Sequence, residues 1–206
     1  MTDLQTSPPR TRLSAELRRK LVIDVAFDVI ARGGFEGLRT RDVAAQAGIN
    51  SATLHHHFPT KEDLIAGVAA ELQHRFKTER APGSEEARAA SAAAALAGEF
   101  SDVIFYLEER QQTLAVYREF VGRAPRDPAI AKLVANLHAG WRGSLVTIFA
   151  AGKKDGSLRA DLDHEAAADV FLSAVWGFIA LADGPPTDLR RVLAELQKWL
   201  QPQSGR

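Results

Sequence analysis

The chain of 206 residues contains no cysteine. That excludes a disulfide framework and a thiolate zinc site, and gives no sign of an oxidising compartment. No run approaches ~18 uninterrupted apolar residues, so a membrane-spanning helix is not expected. The opening M-T-D-L-Q-T-S-P-P-R has none of the apolar stretch of a secretion signal, and the expected location is the cytoplasm. Net charge is missing as well, with 26 basic against 26 acidic residues; composition alone does not announce a nucleic-acid partner. There is also no Gly-rich phosphate loop, no H-E-x-x-H, no G-x-S-x-G and no thiol nucleophile. Neither an enzyme nor a bound cofactor is therefore expected. What remains is the composition of an ordinary globular protein, 46% hydrophobic and 25% charged, long enough for a sizeable core in one or two domains.

The most informative stretch runs from Arg39 to Lys61, R-T-R-D-V-A-A-Q-A-G-I-N-S-A-T-L-H-H-H-F-P-T-K. It reads as two short helices at a steep angle. Thr40 is expected to cap the first, Asp42 sits in its first turn beside the positive dipole end, and Val43, Ala44 and Ala47 recur at the spacing of a buried face. Gly48 stops it by allowing a left-handed turn, and Asn50 is expected to cap the second helix. That helix buries Leu54 and Phe58, and offers Ser51, Ala52, Thr53, His55 and His56 on its other face. Helix, glycine turn, helix is the helix-turn-helix arrangement, here about residues 39–58, whose second helix lies in the major groove of DNA.

The residue types suit that role. Small hydroxyl side chains let the helix backbone approach base edges, Thr53 offers a methyl to thymine, and imidazoles hydrogen-bond bases or phosphates. Lys61, with the first N–H groups of the helix that follows, is placed for phosphate. Arg39, Thr40, Arg41 and His57 complete the candidate DNA-binding set. Thr40, Val43-Ala44, Ala47-Gly48-Ile49, Leu54, His57-Phe58, Lys61 and Leu64, at this spacing, resemble the TetR family of bacterial transcriptional regulators; few other helix-turn-helix families share the H-F-x-x-K ending. One position departs. Where that family usually has tyrosine after the leucine of the recognition helix, this chain has His55, which changes what that position can donate and leaves the operator sequence open.

The fold expected is all-α, an N-terminal three-helix helix-turn-helix head followed by a C-terminal helical bundle for ligand binding and dimerisation. Residues 1–13 read as a disordered basic arm, 14–80 as the DNA-binding head and 81–206 as the body, with the break at Ala81-Pro82-Gly83-Ser84. Residues 1–61 hold nine basic and six acidic side chains, so a mildly basic head sits on a mildly acidic body. Ser14 is expected to cap a first helix carrying Leu17, Leu21, Val22, Val25, Ala26, Val29 and Ile30 and ending at Gly33-Gly34, and Thr60 with Asp63 to form a capping box on a fourth helix. In the body, Asp127-Pro128 and Asp163 open two helices, Gly152 to Gly156 closes the first of them, Asp183-Gly184-Pro185-Pro186 stops the second, and Thr187 caps the last.

In the resembled family the last two helices pair with their copies, which implies a homodimer here. Its two heads would read a pseudo-palindromic double-stranded operator with half-sites ~34–36 Å, or a multiple, apart. The resemblance also implies a small, largely apolar effector that releases DNA when bound in the body. Tyr117, His138 and Trp141 are the candidate pocket residues, from a body that also holds Tyr106, Phe149 and Trp176; ordinary core is the competing reading of each. The alternative to a ligand-released repressor is an adaptor or architectural DNA-binding protein that uses its body only to dimerise. No metal site is expected: His55, His56 and His57 point about 100° apart in succession and cannot share an ion, and Asp161, Asp163, His164 and Glu165 read as a turn and an acidic helix start.

Overall fold

The computed structural model describes residues 14–180 and 189–202, and among these every regular element is helical. Helix α1 (Ala15–Gly37) starts where Ser14 Oγ accepts a hydrogen bond from the Leu17 N–H at 3.2 Å. Burial along α1 begins at Val22; Leu17, expected in the buried stripe, lies more than a turn earlier and is 56% exposed. The helix is interrupted at Gly34, where φ is 63°. The positive φ is what calls for glycine; a Cβ there would stand 2.6 Å from Oε2 of Glu119 and would push that carboxylate aside.

Helices α2 (Thr40–Gln46) and α3 (Ser51–His57) follow. Thr40 is not the cap. The extended backbone that a cap needs falls one residue earlier, on Arg39, which makes no side-chain cap bond, and Thr40 is the first helical residue. Gly48 takes φ 66° in the turn, and Asn50 Oδ1 accepts from the Thr53 N–H at 2.8 Å. Helix α4 (Lys61–Thr78) opens with the reciprocal box: the Asp63 N–H donates to Thr60 Oγ1 and the Thr60 N–H to Asp63 Oδ2, each at 3.0 Å. Phe27, Ile30, Leu38, Val43, Leu54, Phe58, Leu64 and Leu72 are buried among these four helices, each contributing about 1.5–3 kcal/mol by leaving water.

The body consists of α5 (Ser84–Ala90), α6 (Ala92–Glu109), α7 (Gln111–Arg123), a 3-10 turn (Ala124–Arg126), α8 (Pro128–Asp155), α9 (His164–Ala180) and α10 (Leu189–Leu200). Ser91 breaks the alanine-rich run and caps α6 by accepting from the Ala94 N–H at 3.1 Å. Asp127 Oδ1 accepts from the N–H groups of Ala129 and Ile130, with Pro128 as the first helical residue of α8. Gly156 ends α8 in the left-handed conformation, and Asp163 Oδ1 caps α9. The expected stop at Asp183-Gly184-Pro185-Pro186 and the cap at Thr187 fall outside the described residues.

Head and body share one apolar core that runs from Val22 to Leu200. Helix α1 packs on α7, and α4 on α7 and α8. At the junction Phe35 meets Phe120 edge-on with centroids 5.0 Å apart. Glu119 Oε2 accepts from the Phe35 N–H at 3.1 Å, and Gln112 donates to Asp28 at 2.6 Å. No helix of the described residues is long and apolar enough to cross a membrane.

Candidate DNA interface and internal cavity

On α3, Leu54 is buried, Thr53 and His57 are half-buried, and Ser51, Ala52, His55 and His56 are exposed. Around it Arg39, Arg41 and Lys61 are exposed and Thr40 is half-buried. The Lys61 ammonium lies 3.5 Å from the Phe35 carbonyl, at the limit of a hydrogen bond, which leaves most of its donor capacity outward. His57 titrates below the usual imidazole range, first because it is partly desolvated and then because His56, Arg18 and Arg19 add positive charge around it. Arg18 and Arg19, in the first turns of α1, were not in the sequence-derived set. Arg19 lies over the Phe58 ring at 4.7 Å from its centroid, so Arg18 and Arg19 of the R-R-K run bring their charge to the end of α3, while Lys20 pairs with Asp24 and Glu71. The run is plain in the sequence; which side of the head it faces is not.

The second feature is a cavity of about 320 Å³ lined by residues of α4, α5, α6, α7, α8 and α9, within the size range of small-molecule sites. Tyr117, His138 and Trp141 all line it. The Tyr117 hydroxyl and His138 Nε2 are 2.8 Å apart, and the Trp176 ring stacks on His138 with centroids 3.8 Å apart. Burial pushes the Tyr117 hydroxyl up and the His138 imidazole down, so the pair is uncharged near neutral pH. Phe76 of α4 meets Tyr106 and Tyr117 at 4.9 and 5.8 Å between centroids.

One wall is charged, and apolar periodicity gave no hint of it. Glu99 and Asp102, one turn apart on α6, are 1% and 4% exposed. Arg88 donates one guanidinium nitrogen to Glu99 and the other to Asp102 Oδ2, the latter at 2.7 Å. Asp102 also accepts from Arg80 at 2.9 Å and from the Ala81 N–H at 2.8 Å, and Glu99 accepts from Trp141 Nε1 at 2.8 Å. Desolvation costs Arg88 some of its charged form, but the two carboxylates outweigh it and hold the guanidinium above its ordinary value. The same contacts grip the end of α4. Tyr106 donates to the Arg75 carbonyl at 2.7 Å, and Arg110 pairs with Glu79 at 2.9 Å. Further along, Asp161 pairs with Arg159, Asp163 is spent on its cap, and Glu165 lies 3.3 Å from Arg142.

Residues 22–68 match the family model of the bacterial regulatory proteins of the tetR family, and residues 100–203 match that of the BetI-type transcriptional repressor C-terminal domain. The chain belongs to the TetR family. It is a DNA-binding transcriptional regulator of the repressor type, not an enzyme. Among TetR-family relatives, the transcriptional repressor KstR2 of Rhodococcus jostii is 27% identical over 176 residues, which cover 83% of either chain. A TetR-family regulator from Agrobacterium tumefaciens has the same fold, with a TM-score of 0.75 at 18% identity over 91% of this chain and 100% of that one. A transcriptional regulator from Saccharomonospora viridis, solved in complex with choline, aligns with a TM-score of 0.73 at 22% identity over 89% of this chain and 95% of that one.

Proposed function

We propose that this chain is a cytoplasmic, homodimeric repressor that leaves its operator when a small molecule enters the cavity. The carrying observation is the position of α4: its first residue is Lys61, directly after α3, while Gln73, Phe76 and Lys77 near its end form part of the cavity wall. A ligand that prefers a different seat for the end of α4 moves the recognition helix with it, and operator affinity must fall by the factor by which operator weakens ligand binding. At the DNA end, Ser51, Ala52, Thr53, His55 and His56 read base edges, and Arg39, Thr40, Arg41, His57 and Lys61 hold the backbone. Dimerisation through α9 and α10 would cover Val170 and Trp199, which are 53% and 61% exposed in the single chain. The adaptor reading leaves the cavity and its polar lining without a use.

Selection of bound duplexes from a randomised pool at two salt concentrations tests this. An inverted repeat retained with strong salt dependence is the expected result, and Lys61→Ala should weaken all sequences alike and flatten the salt slope by about one. A Lys61→Ala protein that changed only its sequence preference would show that the surface facing DNA is a different one.

A further inference from the structure

Building on the sensor reading, we infer that the effector is a small organic acid, its apolar part among the aromatic rings of the cavity and its anionic head beside Lys77 and Arg88. The inference comes from asking which charged groups of the lining lack an ionic partner. Both carboxylates of the wall are already paired: Glu99 with Arg88 and bonded by Trp141, Asp102 with Arg80 and Arg88 and bonded by the Ala81 N–H. Tyr117 and His138 bond to one another and are uncharged. Among the charged groups of the lining, those left without an ionic partner are donors. Lys77 lines the cavity with no ion-pair partner among the described residues, and Arg88 keeps a buried Nε without an acceptor. Charge points the same way, since Lys77, Arg80 and Arg88 face only Glu99 and Asp102 across the lining.

A cationic ligand would meet that surplus of positive charge. To reach a carboxylate it would have to displace a guanidinium, leaving it unpaired beside an almost fully buried Glu99. The aromatic faces offer a cation some compensation, which makes the cation the sharpest competing occupant. A neutral ligand would gain the rings and at most a charge–dipole bond from these donors. An anion adds the attraction of opposite full charges at groups that now lack an ionic partner.

Three probes with one skeleton separate these cases: phenylbutanoate, phenylbutanol and phenylbutylammonium, titrated calorimetrically into the full chain. The acid is expected to bind about tenfold tighter than the alcohol, as one bond to a charged group allows, and the ammonium weakest of the three. Lys77→Glu, an exposed substitution on α4, should remove most of the acid's advantage over the alcohol. Tightest binding by the ammonium, or an acid preference untouched by Lys77→Glu, overturns the inference and leaves the sensor reading standing. Binding by none of the three overturns both.

Discussion

The DNA-facing surface of the head and the cavity of the body are built in opposite ways. Helix α3 is seven residues long, and the devices that set its ends are local: the left-handed Gly48, Asn50 on the Thr53 N–H, and the box of Thr60 with Asp63 one turn on. The side chains proposed to read bases lie exposed or half-buried on its surface and owe little to one another. The charged wall of the cavity joins Arg80, Arg88, Glu99, Asp102 and Trp141 from four separate parts of the chain, and each is held by the others. A surface of the first kind can change its reading without refolding; a wall of the second kind cannot lose one member cheaply.

The sharpest test is to break each region where it is packed most tightly. Phe58→Ala should cost the head about 3–5 kcal/mol in chemical denaturation, because the ring is 1% exposed and its cavity cannot collapse against α1 and α4. Asp102→Ala should cost about 3 kcal/mol by the same measurement, since it strips two guanidinium groups and the Ala81 N–H of their acceptor. A loss no larger than that of an exposed substitution would erase the contrast between the regions. Thr53→Ala and His56→Ala should each lower specific operator binding by about 1–3 kcal/mol while the denaturation midpoint stays nearly where it was. Asn50→Ala, which removes one cap bond, should cost about 1 kcal/mol of stability.

The smallest expected effect is a pH dependence, to which His138 supplies the body's share. Burial lowers the folded-state pKa of His138, so the unfolded chain binds more protons there below about pH 6.5. The stability due to the neutral imidazole is complete above that pH and declines as pH falls through the window beneath it. His138→Gln should flatten this part of the stability–pH curve, and an unchanged slope would place its origin elsewhere.

The regions also differ in how far they can be read along the chain. The helix-turn-helix, its glycine turn, the caps at Ser14, Asn50, Thr60, Asp127 and Asp163 and the family itself are legible because they depend on residues within a few positions of each other. Thr40 shows the limit of that method. A good capping residue stands at a helix start, yet the backbone turned one residue earlier, and only φ and ψ decide which residue is the cap. Tyr117, His138 and Trp141 could be named as aromatics with polar tips, but their meeting in one cavity depends on how α7 and α8 pack. Glu99 and Asp102 were invisible for a stronger reason. A search for buried positions by apolar periodicity passes over carboxylates, and what makes their burial tolerable is arginines supplied by other segments.

The sequence by itself determined that the chain is helical, that it carries a helix-turn-helix of this family near its start, and which face of α3 is turned away from the core, since short-range hydrogen bonds and a 3.6-residue period suffice for that. Tertiary structure alone decided that Arg18 and Arg19 stand beside the recognition helix, that α4 joins it to a cavity wall, and that this wall has donors to spare. Charge balance at a site depends on distances between groups far apart along the chain, and packing sets those distances.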